Sequence, residues 1–544
     1  MKFTNRRSAG LLVAALLVAA SCGGSDDASP DAAEPDDDVT EETEAPEGTD
    51  AASATTPDTT PAGAACGVLV AGVPEDFDAI DPHTGSGETP ATWLSLIYET
   101  LVGVDVNAEV TDGLATDWEI SDDGLSYTFT LRDGVSFHNG EALDSSHVKF
   151  SLERIIDPET AAVSQSVLAI IDSIDTPDAQ TVVLNLTEPS GPLLSDLAQQ
   201  GRAAIMHPDA VGDDGQIVEH IGTGPFTFVS YSAADRLVLD ANADYWDGAP
   251  QLEGLEVRIL PDATARLSAL ASGELDFAWN LPAEDAESLA SDGSFVIQEN
   301  QQNRGNFFSI NQNAAPFDDP RIREAMWLAV SRTDIAEAGW NGFAAPTLQP
   351  FAETSFWYLD KELRVDADLD AARALIEEAD AVGTPVTILQ WDALGSDAEA
   401  QIVASAWNEI GLDAQIEKVD IGTIVENAGT GEFDVVYLWV GLITDPNRPY
   451  SFFESDSARN GLTGGLQLDE LDALVSDGRT TSDPEARKEI YSEAMQINLD
   501  SFAQFFTVRP FQFVGVGADV TGYEQGAYYV SYRGGGMTSA CVPA

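Results

Sequence analysis

From residue 66 onward, short runs of alternating apolar and polar residues take turns with amphipathic stretches. Residues 127–131 alternate strictly, which puts Tyr127, Phe129 and Leu131 on one face of a strand. Arg132, Asp133 and Gly134 supply a turn, and Val135 to Phe137 resumes the alternation. Between 145 and 156 the apolar positions Val148, Leu152 and Ile155 recur at helical spacing. A second helical pattern covers 263–271, is stopped by Gly273, and leads into a strand over 275–279. Asp319-Pro320 and Asp483-Pro484 each set a capping carboxylate before a proline at the first helical position. They predict one helix with Ile322, Met326 and Val330 inward, and another with Ile490, Ala494 and Ile497 inward. A further strand, 386–390, runs up to Trp391. No fixed-period repeat is present. Strands and helices interleave throughout, so the expected class is mixed α/β.

The first 65 residues follow other patterns. Lys2, Arg6 and Arg7 precede the apolar run 11–20, which is too short for a spanning helix of about 20 residues. A basic start, a short apolar run and small residues at its end describe a secretory signal peptide, 1–22. Its end, Val18-Ala19-Ala20-Ser21-Cys22-Gly23, resembles a bacterial lipobox and implies acylation of Cys22; Ala19 stands where Leu is commoner. Residues 23–65 hold 13 acidic residues and no Lys or Arg. Such a segment cannot bury enough apolar surface to offset chain entropy, so it is expected to be a disordered, self-repelling tether. Nothing later approaches 18 uninterrupted apolar residues, and no transmembrane helix is expected.

Composition narrows the function. A chain of 544 residues suggests several lobes. Asp+Glu 93 against Lys+Arg 25 gives a formal net charge of -68, which repels phosphates and argues against nucleic acid as a partner. Three cysteines are too few for a disulfide scaffold or a four-thiolate metal site. Gly85-Ser86-Gly87 is too short for a hydrolase nucleophile elbow, and no phosphate-binding Walker loop is present. Residues 222–227 and 515–520 both lack the third small residue of the dinucleotide fingerprint. The five histidines, His83, His138, His147, His207 and His220, show no helical metal-ligand spacing. Carboxylates are so numerous that an acid pair of glycosidase type carries no weight. The expectation is a protein with no catalytic residues, no metal and no cofactor.

Several stretches resemble the peptide/nickel type, family 5, of extracellular solute-binding proteins. They are 118–140 running on to 148–154; then 222–226, 242–246 and 261–266; then 316–323 with its helix. The resemblance implies an α/β, two-lobed periplasmic-binding-protein-like fold with an extra inserted domain (type II, peptide-binding subclass). Lobe one would combine 66–95, 222–303 and 511–544; the inserted domain would be 96–221, and lobe two 304–510. It implies a monomer, lipid-anchored at the outer face of the cell membrane. There it would capture a peptide or peptide-like or oligomeric small solute for an ABC permease. A secreted carboxylate-dependent hydrolase and a ligand-free surface scaffold are the competing readings.

A ligand held between lobes needs apolar bulk and a few oriented polar groups, supplied by loops at strand ends. The candidates are His83, Thr84, Gly85 and Ser86 in the loop 81–87, the strand end Trp279-Asn280, then Trp391, and Trp439 with the loop to Tyr450. Leu442 stands where peptide-binding relatives commonly carry the Asp that pairs with a terminal ammonium, which makes a free-amino peptide less favoured. Asp445 is read as loop-shaping, His138 as part of a fold-defining hairpin, and Trp118, Trp246, Trp327 and Trp407 as core. With Cys22 taken by lipid, an even remainder in an oxidising compartment favours a Cys66–Cys541 disulfide. The family architecture, returning both ends to lobe one, agrees.

Overall fold

The computed structural model describes residues 66–544 apart from 106–108, 200–201, 283–290, 292, 301–303, 360–365, 392–396, 442–443, 458 and 526–535, all within the compact unit Gly63–Ala544. The signal segment, Cys22, the acidic tether and Leu442 lie outside the described residues.

The alternation at 127–131 becomes the strand Ser126–Leu131, and the helical stripe becomes the helix Ser145–Ile156. Tyr127, Phe129 and Leu131 share one core with Val148, Leu152 and Ile155. This core lies under a four-stranded antiparallel sheet in the order Ala115–Ile120, Ser126–Leu131, Thr181–Leu186, Ile171–Asp178.

Two larger sheets flank it in sequence. A seven-stranded sheet runs Phe295–Asn300, Gln512–Gly517, Phe277–Ala278, Val68–Val73, Gly254–Ile259, Arg236–Ala241, Phe226–Ser232. Only the pairs of Val68–Val73 with Gly254–Ile259 and with Phe277–Ala278 are parallel. A five-stranded sheet runs Asp413–Val419, Pro385–Trp391, Val435–Val440, Gly305–Ile310, Gln504–Phe506. The chain passes from the first to the second between Asn300 and Arg304, and returns through Val508–Pro510. The two passages lie side by side, with the Thr507 N–H donating to the Asn306 carbonyl at 3.0 Å.

Most motif residues serve this framework. Gly222 and Gly224 run against the backbone of 96–97, where a Cβ would stand 2.0 Å from the Ile97 carbonyl oxygen and 2.3 Å from that of Leu96. Only glycine fits there. The buried Glu99 accepts hydrogen bonds from Thr223 Oγ1, Tyr245 Oη and Trp246 Nε1, each at 2.9 Å, so it ties the 222–226 motif to the 242–246 motif. Arg266 of the 261–266 motif donates to the carbonyls of Leu260 (2.6 Å), Pro261 (3.0 Å), Trp279 (3.1 Å) and Asn280 (2.7 Å). His138 Nε2 lies 3.0 Å from the Gly224 carbonyl, within the hairpin contact. Trp407 is fully buried; Trp118, Trp246 and Trp327 pack half-buried against the cores.

Three sequence readings need correction. The strand over 275–279 shortens to Phe277–Ala278, because Asp276 Oδ2 takes the Val70 N–H at 2.8 Å that a regular ladder would use. Val135–Phe137 is no strand; it keeps one bridge, Ser136 to Ala142. The helix Pro484–Ser501 turns a different face inward, burying Arg487, Tyr491, Ala494, Met495 and Asn498 and leaving Ile490 and Ile497 half-buried. Its register is set by a buried ion pair at Arg487 rather than by its isoleucines.

The ends of the folded region meet. Cys66 and Cys541 are joined by a disulfide with a Cα–Cα separation of 5.1 Å. The Gly67 N–H donates to the Val542 carbonyl at 2.9 Å beside it. No helix among the described residues is long and apolar enough to cross a membrane.

Candidate functional site

An apolar pocket of about 200 Å³ opens on the five-stranded sheet, at the ends of two of its strands. Trp391 ends the strand Pro385–Trp391, and Trp439 lies one residue before the end of Val435–Val440. These strands are parallel, so their tryptophans come to the same edge, with ring centroids 6.4 Å apart and planes at 21°. Tyr450, Phe452, Phe506 and Leu462 complete the walls. The volume suits one side-chain-sized group; a whole small ligand commonly needs about 300–1,000 Å³. Aromatic walls bury much area at little cost in side-chain entropy.

A second cavity, about 560 Å³, lies between the body built on the four-stranded sheet and the body built on the five-stranded one. Trp118, Ile120 and Leu194 line one side, and Phe356, Trp357 and Arg487 the other. At its edge the two bodies touch: the Gly191 N–H donates to the Arg479 carbonyl at 2.7 Å, and Arg487 Nη1 donates to the Gly191 carbonyl at 3.2 Å. Arg487 is held by Asp445 through two bonds of 2.6 and 2.7 Å, both side chains being buried.

Asp196 stands beside this pair, its Oδ1 accepting from Gln199 Nε2 at 3.2 Å. Burial, then the Asp445 charge, push its pKa up to about 8 from 3.8, against the opposing pull of Gln199, Arg448 and Arg487. A carboxyl whose folded pKa is raised binds more protons folded than unfolded, so it removes stability as pH rises between about 4 and 8. Asp196→Asn is expected to flatten that slope. Urea midpoints of both proteins across the window check this, and parallel pH profiles would overturn it.

A third cavity, about 810 Å³, is of another kind. Asp81, Glu153, Asp157, Glu159, Asp213 and Asp214 line it, and Arg154 is already spent on Asp81. Like-charged walls of this sort suit solvent and counter-ions.

The sequence candidates therefore fall in several places. Trp391, Trp439 and Tyr450 come together in the apolar pocket. Thr84 lies at the acidic cavity instead. His83 is fully buried: Nε2 faces the Ala204 carbonyl at 2.9 Å and Nδ1 faces Arg154 Nη1 at 2.8 Å, leaving neither ring nitrogen for a ligand. Burial keeps this imidazole neutral. Gly85 is buried, and Ser86 is exposed with its hydroxyl on Asp78. Trp279 belongs to the core of the seven-stranded sheet, and Asn280, exposed, takes a φ of 55° at the strand end that Arg266 holds. Asp445 shapes its loop, accepting from the Asn447 N–H at 2.8 Å as well as from Arg487.

Sequence reasoning missed the charged groups around the crossing strands. Glu399 is fully buried, accepting from Asn306 Nδ2 (2.8 Å), Trp340 Nε1 (2.9 Å) and the Thr507 hydroxyl. Arg304 places its guanidinium 4.4 Å from the centroid of the Trp439 ring. Among 93 acidic residues a buried Glu carries no sequence signal, and Arg304 belongs to no motif.

Glu141, His147 and His207 bring three potential ligand atoms within 4.8 Å of one another. Their hydrogen bonds assign them other work. His207 Nδ1 accepts the Asp209 N–H at 3.1 Å, so the neutral ring carries its proton on Nε2, which donates to Glu141 at 3.1 Å. His147 Nδ1 accepts the Asp144 N–H at 3.1 Å in a helix cap. Metal on either Nε2 would turn an N–H of the ring against an N–H of the backbone.

A two-bodied α/β scaffold, joined by two adjacent crossing strands and carrying its pockets at strand ends, defines a binding protein of the two-lobed periplasmic type. The profile described as bacterial extracellular solute-binding proteins, family 5 Middle, matches residues 109–461, and the chain belongs to that family. Di/tripeptide-binding protein 2 of Pseudomonas aeruginosa is 28% identical over 489 residues, covering 84% of this chain and 91% of that one. The ABC transporter-associated periplasmic binding protein DppA of Helicobacter pylori, solved with the peptide STSA, superposes with a TM-score of 0.72 at 25% identity, covering 88% of this chain and 99% of that one. NikA of Brucella suis, solved with Fe(III)-EDTA, superposes with a TM-score of 0.78 at 22% identity, covering 87% and 99%, and shares the fold.

Proposed function

We propose that this chain is a lipid-anchored extracytoplasmic receptor that captures a peptide or peptide-like solute and hands it to an ABC permease. The observation that carries this reading is the Trp391–Trp439–Tyr450 pocket, a side-chain-sized apolar recess beside the crossing strands. Relatives named for di/tripeptides and a neighbour solved with a bound peptide support the ligand class. We read the lobes as 66–95, 222–303 and 511–544 for the first and 304–510 for the second, with 96–221 inserted, a division the separate seven-, five- and four-stranded sheets support. The work is read as binding and release, in keeping with a family described as solute-binding and relatives named for binding.

Native mass spectrometry of protein purified without refolding tests the reading. A co-purified peptide-sized mass, released intact on denaturation, is the expected result. A ligand-free protein that binds no member of a di- and tripeptide library would overturn it. For the anchor, Cys22→Ala is expected to move the protein from the membrane fraction to the medium; retention in the membrane would rule out acylation as the tether.

A further inference from the structure

Arg304, like the buried Arg509, has a guanidinium with a buried nitrogen and no side-chain hydrogen bond or ion pair among the described residues. Of the two, Arg304 lies on a tryptophan that walls a pocket. In a chain with 93 acidic residues, Arg132, Arg154, Arg321, Arg479 and Arg487 all end on carboxylates. Arg266 and Arg323 are held by backbone carbonyls. Arg304 makes no hydrogen bond or ion pair among the described residues, and its Nε is buried without a partner. It begins the crossing strand, immediately before Gly305–Ile310, and Gly305 pairs with Val440 next to Trp439.

The groups around it do not satisfy it. Burial holds Arg304 below its ordinary pKa, against the pull of Glu88, Tyr437 and Glu399. Glu88 lies in the same field, but its own burial pushes its pKa up, and no ion pair joins the two. Glu399 is committed to Asn306, Trp340 and Thr507. The Trp439 ring contributes a cation–π contact, which holds the guanidinium in place without using its N–H donors. A planar guanidinium so placed offers the fork geometry that matches a carboxylate.

Trp439 is shared. It walls the apolar pocket and also carries Arg304. We infer that Arg304 is a specificity-determining residue: it receives a carboxylate of the ligand whose apolar side chain enters the Trp391–Trp439 pocket. The inference rests on the receptor reading above and narrows its ligand to an acid with an aromatic or aliphatic side chain. The strongly negative surface repels such a ligand at long range, so the discrimination is local and its on-rate rises with salt.

The test uses two probe pairs on the full mature chain, followed by calorimetry. The first pair is 3-phenylpropanoate against 3-phenylpropanamide; the second is N-acetyl-Ala-Phe against its C-terminal amide. In the unaltered protein each acid is expected to bind about tenfold tighter than its amide, as for a hydrogen bond to a charged group. Arg304→Gln should abolish the ratio while leaving amide affinity within about twofold, and Arg304→Lys should restore part of it. Arg304 is half-buried and unpaired, so its loss leaves thermal stability equal or higher and the variant remains measurable. An acid-to-amide ratio near one, or a ratio that survives Arg304→Gln, overturns the inference. Acetylated peptides that bind without this ratio would leave the receptor reading standing and remove Arg304 from it. The phenylpropanoate ratio and its loss in Arg304→Gln, seen without peptide binding, would keep Arg304 and remove the peptide.

Discussion

Asp445→Ala is expected to destabilise the protein by about 3–5 kcal/mol, because it leaves a buried guanidinium without its counter-charge. Arg487 and Asp445 are 3% and 6% exposed and share two short hydrogen bonds. Arg487 also donates from Nε to the Gly478 carbonyl at 2.8 Å, and its charge faces the Trp357 and Tyr491 rings at 5.1 and 5.6 Å. None of these can replace a carboxylate. The pair is worth far less than its disruption costs, since each ion was desolvated to form it. The double variant Asp445→Ala/Arg487→Met should therefore recover much of the loss. Urea unfolding of the three proteins checks this. An Asp445→Ala protein as stable as the unaltered one would mean water reaches Arg487, and the pair is not the buried anchor described here.

The same pair explains where the sequence was readable. Alternation at 127–131, helical spacing at 148–155 and the Asp-Pro starts are local signals, and each became the element it predicts. The helix after Asp483 begins as expected, yet its buried face is not the isoleucine stripe, because a long-range partner at Asp445 draws Arg487 inward. Such partners lie far apart in sequence and leave no periodic trace. The candidate site divides in the same way. Trp391 and Trp439 were legible because each stands at or next to the end of an apolar strand, and parallel pairing brings them to one edge. His83 was misleading: its loop composition is that of a ligand loop, but the contact that occupies it, Arg154, lies 71 residues away. Arg304 could not be found at all, since an unpaired guanidinium resting on the Trp439 ring leaves no trace in the sequence.

The largest effect on binding is expected from Gly191→Val. Gly191 is not at a positive φ, so the backbone itself tolerates a side chain there. Space does not: a Cβ would stand 2.1 Å from the Thr481 carbonyl oxygen and 2.5 Å from Arg487 Nε. Backbone at that distance cannot yield by a rotamer change, and Arg487 is fixed by Asp445. The body carrying Gly191 must therefore withdraw, and withdrawal breaks both hydrogen bonds that join it to Arg479 and Arg487. Each body keeps its own core, since Gly191 belongs to neither. The variant should then fold, with a larger radius of gyration by small-angle scattering and an affinity for its ligand reduced about tenfold or more, as expected when a bound geometry is no longer preorganised. Gly191→Ala meets the same carbonyl and should shift in the same direction. If Gly191→Val scatters and binds as the unaltered protein does, the contact at Gly191 is incidental, and the 560 Å³ cavity beside it plays no part in closing over a ligand.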